Sequence, residues 1–260
     1  MKFCINDFDI YYEKHGNSKQ SILILPGWGD TRNTFIHLID FLKKQFTIYI
    51  LDYPGFGKSP FPNRDLTIDD YALLISNFIY ANNIDKPIII GHSFGGRIGT
   101  LLATKYKTRL KKIILMDSAG IKPKKSIIKI LKQTTYKTLK KLAYLLPKKI
   151  KTKYLDKLIN IFGSTDFKNL NPNIRKSFIN IVNTDLTKYI KQIKCDTLLI
   201  WGEKDLDTPL KDAYKFNKLI NDSGLVIIKN SEHFPYLDNP NYINKIIYEF
   251  IKTFATQKDE

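Results

Sequence analysis

The 260-residue chain of 30.2 kDa is 43% hydrophobic and 26% charged, enough apolar material for one buried core without a staple. That composition excludes a disordered, collagenous or disulfide-built chain. The one departure is a net charge of +17.

Residues 2–14 alternate apolar and polar side chains, the pattern of an antiparallel hairpin at a sheet edge. Residues 21–25 are a short apolar, β-branched run that ends in Pro26-Gly27-Trp28-Gly29, and residues 47–51 are another, ending in Asp52-Tyr53-Pro54-Gly55-Phe56-Gly57. Asp52 reads as a residue that buttresses its own turn. A helical pattern covers 69–81. The run 87–90 leads into Gly91-His92-Ser93-Phe94-Gly95 and a helical pattern to 106, and the run 112–116 ends in Asp117-Ser118. Near-continuous apolar strands are buried on both faces, as in a parallel sheet covered by helices. The rhythm then breaks: 120–185 is helical and strand-free, and from Ile121 to Asn160 it holds thirteen lysines and one acid, Asp156. Within it Ile128, Leu131, Leu139, Leu142 and Leu146 have helical spacing, a stripe expected to face a pocket. The run 197–201 ends in Gly202-Glu203-Lys204-Asp205, a helical pattern follows over 210–220, and the run 225–228 opens into Asn230-Ser231-Glu232-His233-Phe234-Pro235. The expectation is an α/β core of 1–119 and 186–260, with 120–185 inserted as a lysine-rich helical cap.

In an open parallel sheet the chemistry sits just beyond the carboxyl ends of the strands. There, between a strand and a helix, stands Gly91-His92-Ser93-Phe94-Gly95, the Gly-x-Ser-x-Gly elbow that strains a serine so that its hydroxyl projects. Serine attacks only when a base takes its proton and a third group orients the base. Of four histidines, His92 should point away from its neighbour, while His15 and His37 lie on early elements. His233, in a polar loop after the last strand, is the candidate base. Asp205 is the candidate acid, with Asp117 and Asp207 as rivals. The oxyanion formed on attack needs preorganised N–H donors, and the amides of Trp28 and Phe94 are the candidates.

Together these segments resemble the α/β-hydrolase superfamily, in its capped, carboxylesterase-like branch. The resemblance runs over essentially the whole chain. It implies Ser93 as nucleophile, Asp205 as acid and His233 as base. Ser93 at the elbow argues against haloalkane dehalogenases and epoxide hydrolases, which carry Asp there, and the elbow lacks the Gly-Gly-Ser-Trp-Gly run of proline iminopeptidases. Pro26 stands where many members have His. The expected activity is hydrolysis of a small carboxylic ester or thioester through an acyl-enzyme, without metal or cofactor. C–C bond hydrolysis, acyl transfer with the same residues, and a non-catalytic small-molecule receptor are the alternatives.

No apolar run reaches the roughly 18 residues of a membrane span, the stretch through Asp7 lacks the apolar segment of an export signal, and Cys4 and Cys195 form no metal-ligand spacing. A reduced, cytoplasmic monomer or small homo-oligomer is expected. The lysines read first as solvated faces and second as a surface for an acidic membrane or an anionic substrate. Nucleic acid is not expected as a partner, since no reading helix or aromatic basic sheet accompanies them.

Overall fold

A computed structural model describes residues 1–5, 8–122, 127–162 and 170–252. Eight strands form one sheet: β1 (Lys2–Ile5), β2 (Phe8–His15), β3 (Ser21–Leu25), β4 (Thr47–Asp52), β5 (Ile88–His92), β6 (Lys112–Met116), β7 (Asp196–Gly202) and β8 (Gly224–Ile228). Their order is β1-β2-β4-β3-β5-β6-β7-β8. β1 pairs antiparallel with β2 and β2 antiparallel with β4, so the alternating N-terminal segment is an edge hairpin. Every other pairing is parallel.

The continuous apolar runs follow from burial on both faces. Leu23, Leu25, Ile89, Leu115, Leu199 and Trp201 face one core, shared with helices α2 (Ile68–Ala81) and α3 (Phe94–Ala103). Ile22, Ile24, Ile88, Ile90, Ile114 and Ile200 face the other, closed by α1 (Ile36–Leu42) and the C-terminal helix (Pro240–Lys252). Successive side chains of a strand point to opposite faces, so each run feeds both cores. Each fully buried aliphatic side chain contributes roughly 1.5–3 kcal/mol. α2 starts where Thr67 Oγ1 accepts from the Asp70 N–H and the Asp70 carboxylate accepts from the Thr67 N–H, a reciprocal cap worth about 1 kcal/mol. α3 stops at Ala103, three residues short of the expected 106: the Tyr106 N–H bonds back to the Leu101 carbonyl and Lys107 takes a positive φ of 49°.

Between β6 and β7 the described residues hold helices and no strand: α4 (Ile127–Ala143), α5 (Lys148–Phe162), a short 3-10 turn, α6 (Arg175–Val182) and α7 (Thr187–Ile190). α8 (Leu210–Leu219), α9 (Pro235–Asp238) and α10 (Pro240–Lys252) complete the chain. The later part of this helical segment is tied to the sheet. Ser177 Oγ accepts from the Leu66 N–H at 2.8 Å, the buried Arg97 guanidinium donates to the Thr184 carbonyl at 2.8 Å, and the Leu186 N–H donates to the Gly120 carbonyl at 2.8 Å. The stripe expected on α4 departs from the reading. Leu139 is half-buried, but Leu142 and Leu146 are exposed, and Ile128 and Leu131 lie outside the residues whose side chains are described. α4 packs against α5, and among the side chains described in the two helices Ala143 and Leu158 are buried. No helix among the described residues is long and apolar enough to cross a membrane.

Candidate active site

Ser93 stands between β5 and α3 with φ 49° and ψ −108°, a backbone region that non-glycine residues rarely occupy. It is held there by its neighbours. The Ser93 N–H donates to the Met116 carbonyl at 3.0 Å, and the Ser93 carbonyl accepts from Gly96 and Ala119 N–H groups, each at 3.1 Å. The flanking glycines are steric necessities: a Cβ on Gly95 would run into the Leu25 carbonyl of β3, and one on Gly91 into the Gly95 carbonyl.

The loop after β8 brings His233 to this serine. His233 Nδ1 lies 2.8 Å from Asp205 Oδ2, and Nε2 lies 3.0 Å from Ser93 Oγ. A carboxylate only accepts, so Nδ1 carries the proton and donates to Asp205; Nε2 is left to accept from the Ser93 hydroxyl. That is the tautomer a base needs. Asp205 is itself set by four donors: Asp207 N–H, Thr208 N–H and Thr208 Oγ1–H besides His233. Burial alone would raise its pKa, but the hydrogen bonds from His233 and Thr208 outweigh it and hold the carboxyl at about 2. The group is ionised wherever the protein works.

Asp117, the rival, is fully buried at the end of β6, and its Oδ1 accepts from the Gly202 N–H at 2.8 Å. Desolvation, with the Asp205 carboxylate beside it, pushes its pKa up to about 10, so it is a neutral acid. Asp207 turns its N–H toward Asp205 and serves the turn that orients it. One donor atom each from Asp117, Asp205 and His233 lies within 4.8 Å of the others. Two carboxylates and an imidazole are a plausible metal donor set in kind. Here His233 Nδ1 is committed to Asp205, and burial keeps Asp117 protonated.

His92 does point away from Ser93, and it has an orienting position that sequence reading missed. Its Nε2 lies 2.7 Å from the His233 carbonyl, an acceptor, so Nε2 carries the proton. Complete burial pushes its pKa down to about 3 and keeps it neutral. Behind it, the Tyr236 hydroxyl bonds Asp30 Oδ2 at 3.1 Å and lies 3.4 Å from His92 Nδ1. On the other flank Ser231 Oγ and the Glu232 N–H both donate to Asp238 Oδ2. The only signal for this support was the histidine inside the elbow.

The Trp28 and Phe94 backbone N–H groups are the two expected oxyanion donors. Among the described residues neither donates a hydrogen bond within the protein. Phe94 N–H opens α3, where the helix dipole favours negative charge. The Trp28 ring packs edge-on against Phe94 (5.1 Å between centroids) and Phe56 (4.9 Å), and tilted against Phe178 of α6 (5.3 Å). Phe178 was not singled out from sequence. The result is an aromatic cluster built around Trp28, joined to the residue after Ser93 through Phe94. Asp52 buttresses its turn as read, accepting from the Lys58 N–H at 2.9 Å.

Residues 20–145 match the family model described as the alpha/beta hydrolase fold. The pimeloyl-[acyl-carrier protein] methyl ester esterase of Wigglesworthia glossinidia brevipalpis is 30% identical over 92% of this chain and 96% of its own. This chain belongs to the α/β-hydrolase family. This α/β-hydrolase is also 23% identical to the 2-hydroxy-6-oxo-6-phenylhexa-2,4-dienoate hydrolase of Comamonas testosteroni, over 95% of the chain and 93% of the relative. In three dimensions the hydrolase superposes on the enol-lactonase of Burkholderia xenovorans LB400 with a TM-score of 0.74 and 19% identity, covering 97% of this chain and all of that one, a likeness of fold.

Proposed function

We propose that this α/β-hydrolase is a serine esterase that cleaves a carboxylic ester through an acyl-enzyme, with Ser93 as nucleophile, His233 as general base and Asp205 as the orienting acid. The observation that carries the reading is the unbroken relay from Ser93 Oγ to His233 (3.0 Å) to Asp205 (2.8 Å). Ser93 attacks the ester carbonyl as His233 accepts its proton. The Trp28 and Phe94 amides take the charge that grows on the oxygen. His233 then returns the proton to the leaving alcohol. Water repeats the sequence on the acyl-enzyme. In this reading the helical segment between β6 and β7 serves as the cap, and Phe178, packed against Trp28, is the side chain it would bring toward the acyl group.

Similarity to a methyl ester esterase whose substrate is carried on an acyl carrier protein makes the methyl ester of a carrier-linked acyl chain the first substrate to try. The thirteen lysines of 121–160 suit an acidic carrier. The Comamonas relative supports C–C bond hydrolysis as the second reading, since the same relay serves a diketone. A receptor would not need Ser93 strained and within hydrogen-bond distance of a histidine that Asp205 orients. The test is a panel of p-nitrophenyl and methyl esters of increasing acyl length, run beside a meta-cleavage diketone, with fluorophosphonate labelling of Ser93. Turnover and labelling that both vanish in Ser93→Ala support the reading. A well-folded protein that neither labels nor turns over any ester overturns it.

A further inference from the structure

At the end of the sheet opposite Ser93, the chain leading into β6 and the chain leading into β7 border a groove of about 720 Å³. Its lining carries four cations, Lys107, Arg109, Lys191 and Lys194, and no acid. Among the described residues none of the four has an ion-pair partner. Two acids on adjoining segments are engaged elsewhere: Asp196, beside Cys195, lies 3.9 Å from Lys112 Nζ, and Asp69 pairs with Lys105 at 2.6 Å. Four like charges line one concavity with no acid among them, so the groove favours an anion.

The uncharged polar groups beside the cations are closed off or engaged: Thr108 Oγ1 is buried, the Thr104 hydroxyl donates to the Thr100 carbonyl at 2.7 Å, and the Gln192 amide donates to the Lys188 carbonyl at 2.9 Å. The cations are therefore the groups left to meet a ligand. The floor is apolar, with Ala103, Leu110 and the half-buried Cys195. Burial pushes the Cys195 thiol up to about 11, so it adds no negative charge to the groove.

We infer that this groove is a binding site for a small molecule carrying two or more adjacent phosphates, separate from the esterase site. Four cations exceed what one carboxylate or sulfate needs, and the volume falls in the usual range for small-molecule ligands. Arg109 supplies a planar fork that takes two phosphate oxygens at once, and the lysines supply mobile point charges. The apolar floor leaves room for an organic part attached to the phosphates. The strands between the groove and Ser93 are five residues long in β6, so the two sites lie roughly 15 Å or more apart.

The test is calorimetric titration of the full chain with pyrophosphate and with ATP at about 0.05 M salt. One saturable site is expected. Arg109→Gln/Lys194→Gln should weaken it at least about tenfold. The control Lys149→Gln/Lys153→Gln, which removes the same charge from α5, should leave it unchanged. The single variants Arg109→Gln and Lys194→Gln should each weaken binding by a smaller factor and cover the case in which the double variant fails to fold. Equal affinity for both probes means that only the phosphates are held; tighter ATP means that the floor takes the organic part; either supports the site. Absence of saturable binding, several weak sites, or equal loss in the groove and α5 variants overturns it, whatever the esterase assays give.

Discussion

Asp205 and Asp117 lie side by side with opposite protonation, and hydrogen bonding decides which is which. Asp205 gathers four donors and stays ionised; Asp117 has one, from Gly202, and its Oδ2 has none. Asp205→Asn should therefore lower kcat on the order of several thousandfold with little loss of folding, because the amide no longer holds the His233 tautomer. Asp117→Asn should cost far less, since an amide oxygen still accepts from Gly202. Steady-state kinetics on the two variants separates them, and the larger loss in Asp117→Asn would reverse the assignment. The same pair predicts how stability moves with pH. In the folded state Asp117 keeps its proton up to about 10, whereas in the unfolded chain it loses it near the ordinary 3.8. Rising pH through that window therefore favours unfolding at this residue. Asp205 runs the other way: its stabilisation is present above the ordinary carboxylate value and is lost as pH falls toward about 2. Chemical denaturation from pH 4 to pH 9 should show Asp117→Asn gaining stability relative to the parent as pH rises. A difference that stays flat with pH would mean that Asp117 is ionised in the fold.

Among the elements, the β5–α3 elbow is the one with least tolerance. It brings α3 so close to β3 that a methyl group on Gly95 meets the Leu25 carbonyl, which is backbone and cannot swing aside. Gly95→Ala should cost roughly 2–4 kcal/mol of stability and most of the activity, whereas Ala103→Gly at the far end of the same helix should cost about 1 kcal/mol or less and spare activity. Denaturant unfolding of both, read beside an ester assay, checks the contrast. If Gly95→Ala is as stable as the parent, the close approach is not a constraint. The α4–α5 pair is the opposite case. Its periodicity is sound as helix, yet Leu142 and Leu146 face solvent, because a stripe is buried only where another element lies over it.

At the scale of the molecule, two cores on either side of one sheet hold the strand ends in register, and three residues from three strand ends meet at Ser93. The charge of +17 surrounds this arrangement without entering the relay. Under the proposed function, a carrier-linked ester would be drawn in by that charge and a free methyl ester would not. Raising salt from about 0.05 M to about 0.5 M should lower kcat/KM for the carrier-linked substrate by about tenfold or more and leave the free ester nearly unchanged. Parallel salt profiles for the two would show that the lysines are only solvated faces. Vesicles of anionic and neutral lipid, compared at low salt, test the membrane reading on the same footing.

Much of this was legible in the one-dimensional pattern. Apolar runs closed by glycine and polar residues marked the strand ends, and chemistry in a parallel sheet collects at those ends, so Ser93, Asp205 and His233 could be named as candidates from spacing and residue type, and the fold brings the three within hydrogen-bond distance. The break after Gly120 marked the helical insertion for the same reason, a change of period. Other features depended on packing between distant segments. Periodicity says that a helix has an apolar side but not what lies against it, so Phe178 beside Trp28 and the exposure of Leu142 could not be read. Nor could the support that His92, Tyr236 and Asp30 give the His233 loop, since those contacts span 141 to 206 residues. The choice of Asp205 over Asp117 at His233 was a bet on spacing, and the distances that favour it come from the folding of β6, β7 and β8 side by side. Sequence order names candidates; burial and hydrogen bonding across the sheet set their charge and their partners.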